Sequence, residues 1–236
     1  MKETITKILD ESGYKENTYF TALKSGKFDK EDFTETQIQF FSAVNFFNRP
    51  MGALAAKIPT ANLRVEVIRN VWEEHGEGDV DQFHSNTFVV FLKRLAGITS
   101  NDIARRALWP EVRIFNTTLA GACILDEYMI GAGVMGIIER MFCDISAWIG
   151  QAVVDLEWLK KEELVHYNLH KDLDIKHAED FFNVLKPAWQ ESQENKYFIE
   201  QGLWMGANLF NGLYEGLYKA RNRRVFREVR GHHTRA

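Results

Sequence analysis

Only four prolines occur in 236 residues, at positions 50, 59, 110 and 187, and in the long stretches between them apolar residues recur every three or four positions. That spacing places them on one face of an α-helix, whereas a half-buried strand would alternate strictly. No run reads as a strand bounded by hairpin turns, no internal repeat is visible, and no Ser/Gly/Pro-rich linker divides the chain. The expectation is one all-α domain over 1–236, ending in a basic, solvated and partly disordered tail at 221–236. A first core helix is expected over 34–48, opened by Thr34 and Glu35 and stopped or kinked by Pro50. Further helices are expected over about 62–76, 80–95, 100–107, 111–130, 133–153, 155–186 and 195–226, each lying between Gly, Pro or Asn breaks.

Composition narrows the function. With 45% hydrophobic and 26% charged residues the chain has the balance of a globular protein with a sizeable core. The longest apolar stretch, Met129 to Ile138, is far short of the roughly 20 residues that cross a bilayer. The N-terminal MKETITKILDESG carries no secretory pattern, so a cytoplasmic location without membrane partners is expected. A formal charge of −4 argues against a general nucleic-acid binder. The basic concentration of Arg221, Arg223, Arg224, Arg227, Arg230 and Arg235 sits where cations complement a helix C-terminus. Cys123 and Cys143 lie in separate apolar segments, which suggests core residues rather than a disulfide or a thiolate zinc site.

The chemistry concentrates in three segments. In EELVHYNLHKDLDIKHAEDFF, the residues His170, Asp174 and His177 project within roughly 60° of one another on a helix, so two imidazoles and a carboxylate share one face. Glu163 and His166 extend the stripe by a turn, making His166 a second-choice ligand. A mixed nitrogen and oxygen set suits iron, manganese or zinc. A solvent-facing stripe on an amphipathic helix would show the same spacing.

Glu139 stands in the apolar run GVMGIIERMF, where a core-facing carboxylate costs several kcal/mol unless paired or metal-bound. Pairing with Arg140, or a place on the helix surface, are its alternatives. The third segment, VWEEHGEGDVDQFHSNTF, gathers acids and histidines around two glycines. Glu74 and His84 would converge only if the chain breaks at Gly76 to Gly78, while Glu77 would share a face with His84 on an unbroken helix. A plain acidic loop is the remaining alternative.

The order carboxylate, His84, Glu139, then H-x-x-x-D-x-x-H, with E-E-x-G-x-G ahead of the first histidine, resembles the haem-oxygenase-like diiron oxidases and oxygenases over roughly 35–220. Within that superfamily it most resembles the group of the chlamydial protein associating with death domains, and it is also similar to the alkene-forming fatty acid decarboxylases and the N-oxygenases. The resemblance implies a TenA/PqqC-like helical bundle in which Glu74, His84, Glu139, His170, Asp174 and His177 hold two iron ions. Glu74 is implied over the second-choice Glu77 because the second position of E-E-x-G is the family's ligand. The implied activity is that of an iron-dependent oxidoreductase. It would use O2, through a peroxo-diferric intermediate, on a small organic acid or amine-containing substrate, with an external electron donor as a partner.

The chain departs from its relatives in places. QIQFFSAVNFFN offers no carboxylate on the first core helix. No tyrosine lies in the Gln37 to Asn48 helix and no lysine from Arg140 to Trp158, as the chlamydial protein's synthesis of 4-aminobenzoate from its own side chains would need. No histidine precedes His75, which excludes haem ligation from the first helix. Phe40, Phe41 and Phe47 are candidate walls of a substrate cavity, with ordinary core packing as the alternative. Two rival classes stand beside the oxygenase. A ferritin-like metal-storage bundle would need a second E-x-x-H pair besides Glu163 and His166, and a metal-free helical interaction protein would need no site at all. Large helical surfaces favour a two-fold homodimer.

Overall fold

The computed structural model describes residues 1–227, and for 168–174 it describes the helical backbone but not the side chains. Among the described residues ten α-helices follow in order: α1 Lys2–Glu11, α2 Thr18–Lys24, α3 Lys30–Lys57, α4 Ala61–Glu74, α5 His84–Ala96, α6 Ser100–Arg105, α7 Pro110–Ile124, α8 Tyr128–Asp155, α9 Val165–Glu191 and α10 Gln193–Ala220. Among the described residues there is no strand, only an isolated bridge between Arg106 and Phe226. The all-α expectation holds, with α1 and α2 added ahead of the helices expected.

The central element is α8, which packs most extensively on α9 and α10. It is apolar nearly all round, as a helix enclosed by others must be. Gly131 and Gly133, which read as a break near 130–133, instead lie inside α8. A Cβ at Gly133 would come 3.1 Å from the Ile199 carbonyl oxygen, so the missing side chain lets α8 approach the α10 backbone. The chain breaks earlier, after Ile124.

The first core helix also differs from expectation at both ends. Asp29 caps α3, accepting hydrogen bonds from the Glu31 and Asp32 amides at 2.8 and 3.2 Å, so the helix starts before Thr34. It then passes through Pro50, because Met51, Leu54 and Ala55 bury the turns beyond it against the core. In the same way α9 continues past Pro187, and its start is delayed to Val165 by the left-handed Glu157 and a 3-10 turn at Lys161–Glu163.

The basic C-terminal segment is tied down where it is described. Arg221 and Arg224 meet Asp32 at 3.5 and 2.8 Å, and Arg223 meets Glu111 at 3.0 Å. The Arg227 amide donates to the Arg105 carbonyl at 2.8 Å. Arg230 and Arg235 lie outside the described residues.

Candidate metal centre

Four helices and one sharp turn assemble the site. After Glu74 closes α4, Gly76, Glu77 and Gly78 all adopt positive φ, at 57°, 53° and 91°. Gly76 is the tight point, since a Cβ there would stand 2.7 Å from the Gln82 carbonyl carbon. The reversal seats His84 at the first turn of α5 so that its Nδ1 lies 2.8 Å from Glu74 Oε1. Both side chains are buried, so a carboxylate oxygen and a ring nitrogen are brought together away from water, as two donors to a common cation would be.

Glu139 comes from the middle of α8 and His177 from α9. One ligand atom each from Glu74, Glu139 and His177 lie within 4.8 Å of one another, and all three residues are buried. Arg140, the alternative partner of Glu139, pairs instead with Asp144 at 3.2 Å. Two carboxylates at this range repel by about 4 kcal/mol at ~4 Å and an effective dielectric of ~20, a cost that a cation between them reverses. The donors are oxygen and nitrogen, without thiolate, which fits iron. The residues present therefore fit the metal that the motif implies.

Glu73 lies beside Glu74 in sequence and serves differently. Its Oε2 is 2.7 Å from His177 Nε2 and its Oε1 accepts from Lys176 Nζ at 2.6 Å. Burial works to raise the Glu73 carboxyl, but the hydrogen bonds from Lys176 and His177 outweigh it and hold its pKa below the ordinary range. His177 Nδ1 is left facing Glu139 Oε1 at 3.9 Å.

His166, fully buried at the start of α9, lines the same cavity as Glu74, His84 and Glu139. The Thr87 hydroxyl donates to the His84 carbonyl at 2.9 Å and lies 3.1 Å from His166 Nδ1. A hydroxyl has one proton to give, so it accepts from Nδ1–H and sets that tautomer. The cavity measures about 50 Å³, and its other walls include Phe40, Phe47, Phe115, Ile138, Phe142 and Phe210. Phe40 and Phe47 thus line it, while Phe41 packs on the Phe88 ring with centroids 6.1 Å apart and does not.

Of the expected ligands, Glu74, His84 and Glu139 line this cavity, and His177 shares a buried group with the two glutamates. Glu77 is exposed on the turn. The side chains of His170 and Asp174 lie outside the described residues. Glu73 and Thr87 were not anticipated. The adjacent acids of E-E were a signal for the first, since neighbouring helical residues point about 100° apart and can serve two sides of one imidazole. For the second the only trace is a threonine one turn after His84.

No helix among the described residues is long and apolar enough to cross a membrane. No curated protein sequence matches the chain significantly. Solved structures of the same fold include a CADD-like protein of unknown function from Nostoc punctiforme PCC 73102, at TM-score 0.78 and 14% identity, covering 93% of this chain and 96% of that one. A TenA homologue from Pseudomonas syringae pv. tomato str. DC3000 aligns at TM-score 0.76 and 14% identity over 92% of each chain. A domain of unknown function with a haem oxygenase-like fold from Shewanella denitrificans OS217 gives 0.72 and 14%, covering 92% and 90%. Identities this low establish the haem oxygenase-like fold alone. The sequence pattern of iron-containing redox enzymes matches residues 35–211, three quarters of the chain, and this protein belongs to that family.

Proposed function

We propose that this protein is a non-haem diiron oxidase or oxygenase that uses O2 on a small organic substrate. The observation that carries the reading is the buried group of Glu74, Glu139 and His177 beside an otherwise apolar cavity. Glu74, His84, Glu139 and His177 would hold metal together with His170 and Asp174. Iron bound there supplies one-electron redox chemistry with O2 as co-substrate, the remaining electrons coming from the substrate or an external donor.

The protein's own part is positioning and exclusion. Phe40, Phe47, Phe115 and Phe142 line the cavity, keeping bulk water from the reacting groups and offering an apolar body of the substrate a surface to pack on. Glu74 and Glu139 offer carboxylate oxygens at one buried point, and the short turn at Gly76 prevents Glu74 and His84 from drifting apart. His166, its Nδ1–H held by Thr87, presents an oriented imidazole to the same space.

Anaerobic titration with Fe(II) tests the proposal. Uptake of two irons per chain, followed by a transient visible absorption on admission of O2, is the expected result. The His170→Ala and Glu139→Ala variants should keep the fold and lose iron. Stable iron uptake without any response to O2 would point to metal storage, and no uptake to a metal-free binding protein.

A further inference from the structure

We propose that Glu73 is a positioning residue that holds His177 in the Nε2–H tautomer and thereby dedicates its Nδ1 to the metal. The inference rests on the metal-binding reading above and goes beyond it in assigning which nitrogen binds and what selects it.

The geometry is one-sided. His177 is fully buried, and its two ring nitrogens face different groups. Nε2 meets a carboxylate oxygen of Glu73 at 2.7 Å, a normal length for a charge-assisted hydrogen bond. Nδ1 has no hydrogen-bond partner among the described residues and is sealed from solvent. It points toward Glu139 Oε1 at 3.9 Å, too far for a hydrogen bond but suited to two ligands of one ion. A carboxylate accepts only, so the proton between Glu73 and the ring must sit on Nε2. The lone pair is then on Nδ1, on the side of Glu139, which with Glu74 and His177 makes up the buried group.

Glu73 is itself restrained. Lys176 donates to its other oxygen at 2.6 Å, so the carboxylate is gripped from two sides. Because Lys176 is half exposed while His177 is sealed, the chain Lys176, Glu73, His177 runs from the surface to the metal-directed atom. A carboxylate behind a ligating imidazole fixes the ring's orientation and raises its basicity, and losing such a partner commonly weakens metal binding about 10- to 100-fold.

The test uses the full-length protein labelled with 15N-histidine. In the metal-free state, long-range 1H–15N correlations should show His177, assigned by its loss in His177→Asn, as the Nε2–H tautomer. With Co(II) bound, that Nε2–H should give a paramagnetically shifted, slowly exchanging resonance. Glu73→Gln, whose amide oxygen still accepts from Nε2–H, should keep the tautomer and most of the affinity. Glu73→Ala should speed exchange of that proton about tenfold or more and weaken Co(II) binding by a similar factor. An Nδ1–H tautomer in the metal-free protein, or a Glu73→Ala variant with unchanged exchange and affinity, would overturn the inference. Iron counting on the same preparations separates the outcomes: two irons with an Nδ1–H tautomer sinks this assignment alone, whereas no metal uptake sinks the metal reading together with it.

Discussion

His84 Nδ1 stands 2.8 Å from Glu74 Oε1 although nine residues, including two 3-10 turns, lie between them. The contact exists because α4 ends and the chain reverses through consecutive positive-φ residues. A straight helix through this segment would have pointed the two side chains apart.

The reversal predicts an intolerant glycine. In Gly76→Ala the new methyl meets the Gln82 backbone at 2.7 Å and φ of 57° becomes strained, so the turn must open. Loss of about 1–3 kcal/mol is expected, visible as a lower urea midpoint, with iron stoichiometry falling because Glu74 and His84 separate. Gly13 also has positive φ, but nothing lies within 4 Å of where a Cβ would stand, so Gly13→Ala should be milder and leave iron binding intact.

Thr87 predicts a hydroxyl requirement. Thr87→Val keeps the shape but removes the acceptor for His166 Nδ1–H, leaving a buried donor without that partner. The expected cost is about 1–3 kcal/mol in denaturant unfolding of the metal-free protein, largely restored in Thr87→Ser. Equal stability of the Val and Ser variants would mean that the hydroxyl does not set the His166 tautomer.

Asp180 predicts a pH dependence. It is buried on α9, one turn past His177, and burial first, then the nearby Glu66 carboxylate, raise its pKa. The folded state therefore binds this proton more tightly than the unfolded chain, whose aspartates titrate near ~3.9. Stability is fully present below that value and declines as pH rises through the interval up to the raised folded pKa. Asp180→Asn removes the penalty, so it should be more stable than wild type at neutral pH, with the advantage shrinking as pH falls toward ~4. Urea midpoints across that range check it, and a variant no more stable at neutral pH would refute it.

Much of this was legible in the chain. The helical class follows from the spacing of apolar residues, and Glu139 stood out because a run of apolar side chains precedes it in GVMGIIERMF. What could not be read depends on tertiary contacts. Pro50 and Gly131 look like helix ends locally, yet burial of Leu54 beyond the first and the close approach of α7 to the second override that preference. Glu73 and Glu74 are chemically identical neighbours, and only the placement of α9 against α4 decides that one faces Nε2 of His177 and the other joins the buried group of His177 and Glu139.

The paired carboxylates predict opposite consequences for the metal-free and metal-loaded protein. Without a cation, Glu74 and Glu139 are two buried acids at short range, so Glu139→Gln should raise the thermal midpoint of the chelator-treated protein by removing that repulsion. With Fe(II) present the order should reverse. Wild type gains stability by mass action, about 2.7 kcal/mol at a free metal concentration ~100 times Kd, while the variant, short of a ligand, gains little. Differential scanning calorimetry of both proteins with and without anaerobic Fe(II) measures the crossing. If Glu139→Gln gains as much from Fe(II) as wild type does, Glu139 is not a ligand and its burial needs another explanation.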